Sequence, residues 1–304
     1  MPELENLLQC DQMNIDTSMK NLTILEPRST RLMESCILAI THVCQAYGKA
    51  CRLDHHQQQF EGAIIKIPGF NSSLMETLHD AHLFGDSISD DPVLQAREAS
   101  QAADCILSRL LLGLKFRRDL MFGLSDLLRL RLSSAMGILR TQVETMALLV
   151  HFVRNEADGR HWLETHDSAK GKLFHNKTRA SISKIMRELG VDALYEHGSN
   201  MALHPRASGV APGLLLAPVS LESHGQLSLS YQEIDSPEDL LFWICQFVRL
   251  HAKYIEAVPV AYPEVPQSIM EDPVITEFLD LEGEIYAKAT PNRKRWASRQ
   301  SGHP

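Results

Sequence analysis

The sequence predicts a mainly α-helical protein, a helical bundle with a small β-hairpin inserted before the penultimate helix. Apolar residues recur at helical spacing over several long segments, and helix-start signals precede several of them. One pair of short apolar or alternating runs, within 213–232, favours two strands around a turn at Glu222–Gly225. With 304 residues, 44% of them hydrophobic and 22% charged, the chain can bury a sizeable core.

The N-terminal part is predicted to be a peripheral segment, residues 1–26, followed by a helix from about residue 29 to residue 55. Ser29 or Thr30 is the predicted N-cap, because a side-chain hydroxyl can accept a hydrogen bond from a free backbone N–H of the first turn. One face of this helix carries an apolar stripe at helical spacing, made of Leu32, Cys36, Ile40, Val43 and Tyr47.

The middle of the chain is predicted to hold two core helices. One of them is predicted to begin with Asp91 as its N-cap and Pro92 at its first helical position. Ser125 is expected to cap the next helix, which we interpret as the central helix of the bundle. The apolar stripe of that helix consists of Leu128, Leu132, Ala135, Leu139, Val143, Met146, Val150 and Val153.

Glycine, serine and proline signals place the remaining elements. Gly159 indicates a helix end, and Gly190 ends the helix that begins near residue 172. Ser236 and Pro237 start the helix after the hairpin, and a last helix follows at 273–289. The predicted organisation is a peripheral segment 1–26, a bundle domain 27–258 with the hairpin 213–232, and a Pro-rich connection, C-terminal helix and basic tail in 259–304.

Three ionisable side chains lie on one face of the predicted central helix. Arg140, Glu144 and His151 are separated by four and seven residues, which are helical repeats. A guanidinium, a carboxylate and an imidazole in one groove could hold a phosphate or move a proton. The alternative is a purely structural pair between Arg140 and Glu144, which contributes only about 0.3–0.5 kcal/mol when it is exposed.

Arginine and histidine also occur close together after this helix, as Arg154 with His161 and Arg160 with His166. Here the sequence resembles the HEPN superfamily of helical bundles, whose ribonuclease members carry an arginine followed within a few residues by a histidine beside a groove. The resemblance implies a metal-independent endoribonuclease in a toxin or phage-defence setting. In such a site the imidazole moves the proton of the ribose 2′-OH while the guanidinium holds the phosphate.

The order of features between about residues 125 and 255 resembles a group of bacterial helical proteins placed near HEPN-like bundles. Their pattern is an R-x-x-x-E helix, an aromatic residue soon after it, a Ser…His-Pro corner and a short extended segment. The matching residues are Arg140 and Glu144, Trp162, and Ser199 with His204 and Pro205. The resemblance implies the fold and no established activity. Pro205 disfavours helix at His204, and we predict that the His204 side chain lies near Arg140 or Glu144.

Several classes of site are disfavoured. The chain has no Gly-rich dinucleotide fingerprint, no phosphate-binding loop and no nucleophile elbow. His79 with His82, and the trio His161, His166 and His175, lack a compact zinc-ligand pattern, so we expect neither a metal nor a cofactor. The net charge of −8 argues against a dedicated nucleic-acid coat but leaves room for a local RNA site.

Cysteine usage and hydropathy predict the compartment. None of the six cysteines belongs to a C-x-x-C pair, and free thiols fit a reducing environment. The N-terminus lacks the basic and then hydrophobic segments of a signal peptide. The longest apolar run, Met146–Val153, is too short to span a bilayer. We therefore expect a cytoplasmic protein that does not associate with a membrane.

Three functions from different classes remain open. The first is a HEPN-like module that binds a ligand or a protein partner, the second is the endoribonuclease with RNA as its substrate, and the third is a scaffold without a site. A homo-oligomer is expected, with apolar helices paired between subunits. The residues assigned to catalysis are Arg140, Glu144, Arg154, His161 and His204, and those assigned to binding are His151, Trp162 and Ser199.

Overall fold

The computed structural model of the chain describes residues 2–51, 92–163, 168–195, 219–221, 227–229, 234 and 236–289. Helices dominate these residues, so the mainly α-helical prediction is confirmed. The helices are α1 (Pro2–Leu25), α2 (Ser29–Ala50), α3 (Pro92–Leu128), α4 (Leu132–Arg154), α5 (Glu156–Leu163), α6 (Ser168–Glu188), α7 (Pro237–Glu256), α8 (Val258–Ala261) and α9 (Pro273–Ala289). A 3₁₀ turn covers Gln267–Glu271, and residues 192–195 are helical. None of the described helices is long and apolar enough to cross a membrane.

The first helix differs from the peripheral segment that the sequence predicts for residues 1–26. Helix α1 packs against α2, α3 and α7. Its Leu22 is fully buried and Ser18 nearly so, which ties the C-terminal half of α1 to the core. Ile15, Met19 and Leu22 lie at helical spacing, so the sequence holds a readable signal for this contact that the prediction of a peripheral segment did not use.

Helix α2 carries the apolar stripe that the sequence predicts. Leu32, Cys36, Ile40, Val43 and Tyr47 are all buried. The predicted cap is wrong, because the N-cap position is Arg28, whose side chain forms no capping hydrogen bond. The backbone turns at Cys51, and the rest of the predicted helix lies outside the described residues.

The junction of α3 and α4 corrects the prediction that Ser125 caps the central helix. Ser125 lies inside α3, where its hydroxyl accepts a hydrogen bond from Arg129. The helix ends three residues later, and Leu130 takes a left-handed conformation with φ of 61°. The Arg131 backbone N–H then donates to Asp126 O at 2.9 Å and that of Leu130 to Leu127 O at 2.8 Å, a Schellman ending with leucine in the place of glycine.

Helix α4 is the central helix, as predicted. It packs against α3, α5, α6, α7 and α8. Its apolar stripe is buried from Leu132 to Val150, and Val153 is partly exposed near its end. Facing it, α7 is the other element that is buried along most of its length, with Trp243, Phe247 and Tyr254 among its fully buried side chains.

Gly159 does not end a helix, in contrast to the prediction. It lies within α5 and is buried against α3 and α4. An added Cβ would lie 3.1 Å from Ser108 Oγ and 3.2 Å from Phe152 Cγ, so a glycine allows this close approach. A glycine that serves packing and a glycine that ends a helix look the same in a single sequence.

The signals around α6, α7 and α9 are confirmed. Gly190 follows α6 with φ of 65°, which is the conformation that a glycine takes at a helix C-terminus. Ser236 Oγ accepts a hydrogen bond from the Asp239 backbone N–H at 3.1 Å at the start of α7. The predicted last helix forms as α9, which packs against α2 and α7. Pro259 follows the end of α7 and lies within the first turn of α8.

Two short strands lie within the predicted hairpin segment. Val219–Leu221 (β1) pairs antiparallel with Leu227–Leu229 (β2), and Val219 lies opposite Leu229. The pairing covers three residues in each strand, and the remainder of 213–232 lies outside the described residues. The hairpin as a whole therefore stays a prediction.

Candidate ligand-binding groove

A groove of about 530 Å³ opens between α4 and α6. Trp162 of α5 and Tyr195, beyond the end of α6, complete its lining. We call it the α4–α6 groove. Its lining residues are Arg140, Glu144, Leu148, Trp162, Gly171, Phe174, His175, Thr178, Arg179, Ile182, Ser183, Met186 and Tyr195.

Three of the residues that the sequence singles out meet in this groove. Arg140 and Glu144 lie one turn apart on α4 and both point into it, while Trp162 comes from the short helix that follows. The i, i+4 spacing on α4 explains why the first two share a wall. Trp162 is partly buried, and its ring packs at 5.8 Å from that of Phe152.

Arg140 is held by long contacts. Its Nε lies 3.5 Å from Glu144 Oε1, and its terminal nitrogen donates to the Tyr195 hydroxyl at 3.4 Å. The guanidinium also lies over the Tyr195 ring, 5.4 Å from its centre. Charge-assisted N–H···O hydrogen bonds are usually 2.7–2.9 Å long, roughly, so the five N–H donors of Arg140 are poorly used.

Other arginines of the described chain are bound more closely. Arg154 donates to Glu188 at 2.7 Å, and Arg249 donates to Glu282 at 2.8 Å. Arg109 binds both carboxylate oxygens of Glu264. Arg140 differs because it is half-buried, with 30% of its side chain exposed, and yet has no close carboxylate partner among the described residues. A half-buried guanidinium with open donors is a binding group for an anion.

The opposite wall adds two further basic side chains. His175 and Arg179 lie one turn apart on α6, line the groove and are exposed. Neither forms a hydrogen bond or an ion pair with another residue of the described ranges. His175 was predicted only as a possible metal ligand and Arg179 was not predicted at all, although their i, i+4 spacing was a readable signal.

The floor of the groove is apolar. Phe174 and Met186 of α6 are nearly fully buried, and Leu148 of α4 and Ile182 of α6 are partly buried beside them. Phe174 also contacts Phe152 edge-on, with ring centres 6.3 Å apart. The groove therefore combines basic groups at its walls with an apolar base, the usual composition of a small-molecule site.

His151, predicted to take part in binding, lies beneath the groove and not in its lining. It is 4% exposed, and its Nε2 lies 3.0 Å from Asp158 Oδ2 while its Nδ1 lies 2.9 Å from Ser181 Oγ. A carboxylate only accepts, so Nε2–H donates to Asp158. This chain of contacts joins α4, α5 and α6, and it fixes the position of the α6 wall.

Asp158 is the charged end of that network. Burial raises the pKa of Asp158, but the hydrogen bonds from Lys177 and His151 outweigh burial and leave this pKa below its usual value. The Lys177 ammonium donates to the other carboxylate oxygen at 2.7 Å. The carboxylate therefore stays ionised and keeps the imidazole oriented between α4 and α6.

The predicted Arg154 and His161 lie elsewhere on the surface. Arg154 forms an ion pair with Glu188, and the His161 ring lies 6.1 Å from that of Phe174. Within the described part of the chain, the lining of the α4–α6 groove includes neither of them. Trp162, the sequence neighbour of His161, does line the groove, so α5 contributes one of the predicted residues but not the histidine.

Several predicted site residues lie outside the described residues. They are Ser199, His204 and Pro205 of the corner, His166, and the His79 and His82 pair. The contact of His204 with Arg140 or Glu144 stays a prediction. Among the residues with described side chains, no group of three or more histidine, cysteine or acidic residues could hold a metal ion.

No protein-family model matches this chain, and neither a curated protein nor a solved structure matches it. What the α4–α6 groove binds must therefore be inferred from its own side chains.

Proposed function

We propose that this protein is a helical binding module that holds a small organic acid in the α4–α6 groove. The observation that carries the proposal is Arg140, a half-buried guanidinium whose contacts to Glu144 and Tyr195 are 3.5 Å and 3.4 Å long. A carboxylate or phosphate of a ligand would offer shorter hydrogen bonds to the same donors.

The charges around the groove support an anionic ligand. Arg140 and Arg179 each carry one positive charge and Glu144 one negative charge, so the balance is positive when His175 is neutral. This local excess contrasts with the net charge of −8 of the whole chain. Inside a partly enclosed groove these charges act more strongly than in bulk water, because the effective dielectric constant is lower.

The size of the groove supports a small molecule. Its volume of about 530 Å³ lies within the range of about 300–1,000 Å³ that is typical of ligand sites. The apolar floor of Leu148, Phe174, Ile182 and Met186 would receive the hydrophobic part of such a ligand. An organic acid with an aromatic or aliphatic body fits both features.

Calorimetric titration of the purified full chain with 3-phenylpropionate and with phenyl phosphate tests the proposal. We expect the Arg140→Gln variant to bind the better of the two roughly ten- to a hundredfold more weakly, because a charge-assisted hydrogen bond is lost. Arg31→Gln is the matched control, because Arg31 lies on α2 and pairs with Glu277 of α9. Equal binding by Arg140→Gln and wild type, or no heat from these two compounds and none from L-phenylalanine, would contradict the proposal.

The HEPN-like fold and the endoribonuclease stay predictions. Arg154 is the last residue of α4 and His161 lies in α5, seven residues later in the sequence. The test is cleavage of RNA by the purified protein against Arg154→Ala and His161→Ala. Cleavage that both variants abolish would favour the ribonuclease over the binding module.

The predicted homo-oligomer has one supporting observation. Four large apolar side chains of α3 are exposed, and Leu38 of α2 is exposed as well. Those of α3 are Leu111, Leu114, Met121 and Phe122. Light scattering at micromolar concentration tests this: we expect a mass above 34.2 kDa for wild type and a lower mass for Phe122→Ser. A wild-type protein that is monomeric by light scattering would contradict the predicted homo-oligomer.

A further inference from the structure

We infer that the ligand of the α4–α6 groove is an amino acid with an apolar side chain, whose carboxylate binds Arg140 and whose ammonium binds Glu144. The inference rests on the proposed function and narrows its ligand class. Its basis is that Arg140 and Glu144 lie side by side in the groove but do not satisfy each other.

Glu144 is the residue that a simple acid would leave unsatisfied. Its side chain is about two-thirds buried, and its contact to Arg140 is 3.5 Å long. Among the described residues, Arg140 is the one charged partner of this carboxylate. An ionised carboxylate can accept about four hydrogen bonds, so Glu144 has acceptor capacity that faces the groove.

A ligand that carries only an acid group would create a conflict at this position. To reach Arg140 it would bring a second negative charge close to Glu144, and like charges a few ångströms apart repel one another in a partly enclosed site. A ligand that carries only an amine would meet the reverse problem with Arg140 and Arg179. A ligand with both groups complements both side chains.

The two groups of the ligand must lie close together, because Arg140 and Glu144 are one helical turn apart on α4. The carboxylate and ammonium of an α-amino acid, both attached to the same carbon, have this arrangement. Arg179, on the opposite wall, adds a second donor for the carboxylate side. The excess of positive charge in the groove is therefore compatible with a zwitterionic ligand.

The apolar floor determines what the side chain of that amino acid can be. Trp162, Phe174, Ile182 and Met186 lie below and beside the charged pair and offer aromatic and aliphatic contacts. Phe174 and Met186 are buried, so they are supported from behind and present a firm surface. An aromatic or large aliphatic side chain would gain from this contact, whereas a charged one would be desolvated without a partner.

Three probes of one shape separate the contributions. L-phenylalanine carries both groups, 3-phenylpropionate lacks the ammonium and phenethylamine lacks the carboxylate. We expect wild type to bind L-phenylalanine at least tenfold more tightly than either of the others in calorimetric titration. The Glu144→Gln variant should lose most of the preference for L-phenylalanine over 3-phenylpropionate. The Arg140→Gln variant should lose most of the preference for L-phenylalanine over phenethylamine.

Glu34→Gln is the matched control, because Glu34 is an exposed glutamate of α2, a helix that does not line the groove. It should bind all three probes as wild type does, and thermal unfolding of each variant should show one transition. If wild type binds 3-phenylpropionate as tightly as L-phenylalanine, and Glu144→Gln changes neither, the inference is overturned while the proposed function stands. If none of the probes binds, both are overturned.

Discussion

Arg140 and Arg109 show how the fold gives one residue type two different roles. Arg109 is 5% exposed, lies over the Tyr47 ring at 5.3 Å and binds both oxygens of Glu264. Burial lowers the pKa of Arg109, but its hydrogen bonds to Glu264 outweigh this and leave the pKa raised. Arg109 therefore stabilises the packing of α3, whereas the donors of Arg140 face a groove.

His251 is a buried residue that the sequence analysis did not single out. Its Nδ1 lies 2.8 Å from Phe247 O, and because a carbonyl only accepts, Nδ1 carries the proton. Its Nε2 then accepts from Gln142 Nε2 at 2.9 Å. Burial lowers the pKa of His251 to about 4, and the hydrogen bond to Phe247 O opposes this only in part.

We predict that the free energy of unfolding decreases as the pH falls from 6.5 towards 4. The unfolded chain binds a proton at His251 in this range and the folded chain does not, so acid favours the unfolded state. The shift of the His251 pKa corresponds to a loss of roughly 3 kcal/mol at the acid end. Urea unfolding at several pH values measures this loss.

Two variants separate His251 from other groups that titrate in this range. His251→Gln keeps a polar side chain near Gln142 but cannot titrate, so it should show a smaller decrease over the same interval. His161→Gln, at an exposed position of α5, removes a different imidazole and is the comparison variant. If the free energy of unfolding decreases equally with falling pH in His251→Gln and in wild type, the assignment of this decrease to His251 is contradicted.

At the level of elements, close contact between helices depends on glycines that look alike in the sequence. Gly123 lies where α3 meets α7, and a Cβ built on it would overlap the Phe247 ring. Gly137 of α4 is also helical, but a Cβ there would meet no atom within 4 Å. The helical propensity of the two positions is the same, so their substitutions differ only through packing.

We predict that Gly123→Ala lowers the free energy of unfolding by about 1–3 kcal/mol, because Phe247 must leave its position in a dense core. Gly137→Ala is the matched control and should raise it by about 0.5–1 kcal/mol, because alanine loses less backbone entropy in a helix. Denaturant titrations of both variants measure the two values. A stabilised Gly123→Ala would show that the helices can separate at no cost.

The helix ends show which local signals can be read and which cannot. Gly190 was predicted from its residue type, because glycine takes positive φ without steric penalty. Leu130 takes the same conformation at the end of α3, although leucine is not favoured there. The leucine is partly buried against the core, and this contact offsets the local strain. No pattern near Leu130 indicates the position of that break.

At the level of the whole molecule, the last helix joins the two ends of the chain. Ile275, Phe278 and Ile285 of α9 are fully buried against α2 and α7. Ion pairs accompany this contact, such as that of Arg31 with Glu277 at 2.6 Å. The C-terminal helix is therefore part of the core, although the sequence analysis placed it after the bundle domain.

We predict that Phe278→Ala lowers the free energy of unfolding by about 3–5 kcal/mol, because it leaves a cavity between α9, α2 and α7. A domain of ordinary stability has about 5–15 kcal/mol in total, so the variant should unfold at a much lower denaturant concentration. Leu173→Ala, at a side chain that is 70% exposed, is the control and should change stability by less than about 0.5 kcal/mol. Similar effects of both would contradict a core role for α9.

The candidate site was predictable to the extent that it lies on one helix. Arg140 and Glu144 share a wall because both are on α4, and periodicity alone reveals that. Arg179, Tyr195 and the apolar floor come from other elements, whose relative placement depends on long-range packing. His151 shows the opposite error, since its position on the same face led to a binding role although it lies in the core.

Local patterns by themselves determined that this protein is mainly helical, where α7 and α9 begin, and that α4 is the central helix, because spacing and capping act within a few turns. Only the tertiary structure decided that α1 and α9 belong to the core, that Gly123 and Gly159 serve packing, and that Arg140 faces a groove with only long contacts to the part of the chain that the structure describes. These features depend on which helices touch, and such contacts join residues far apart in the chain.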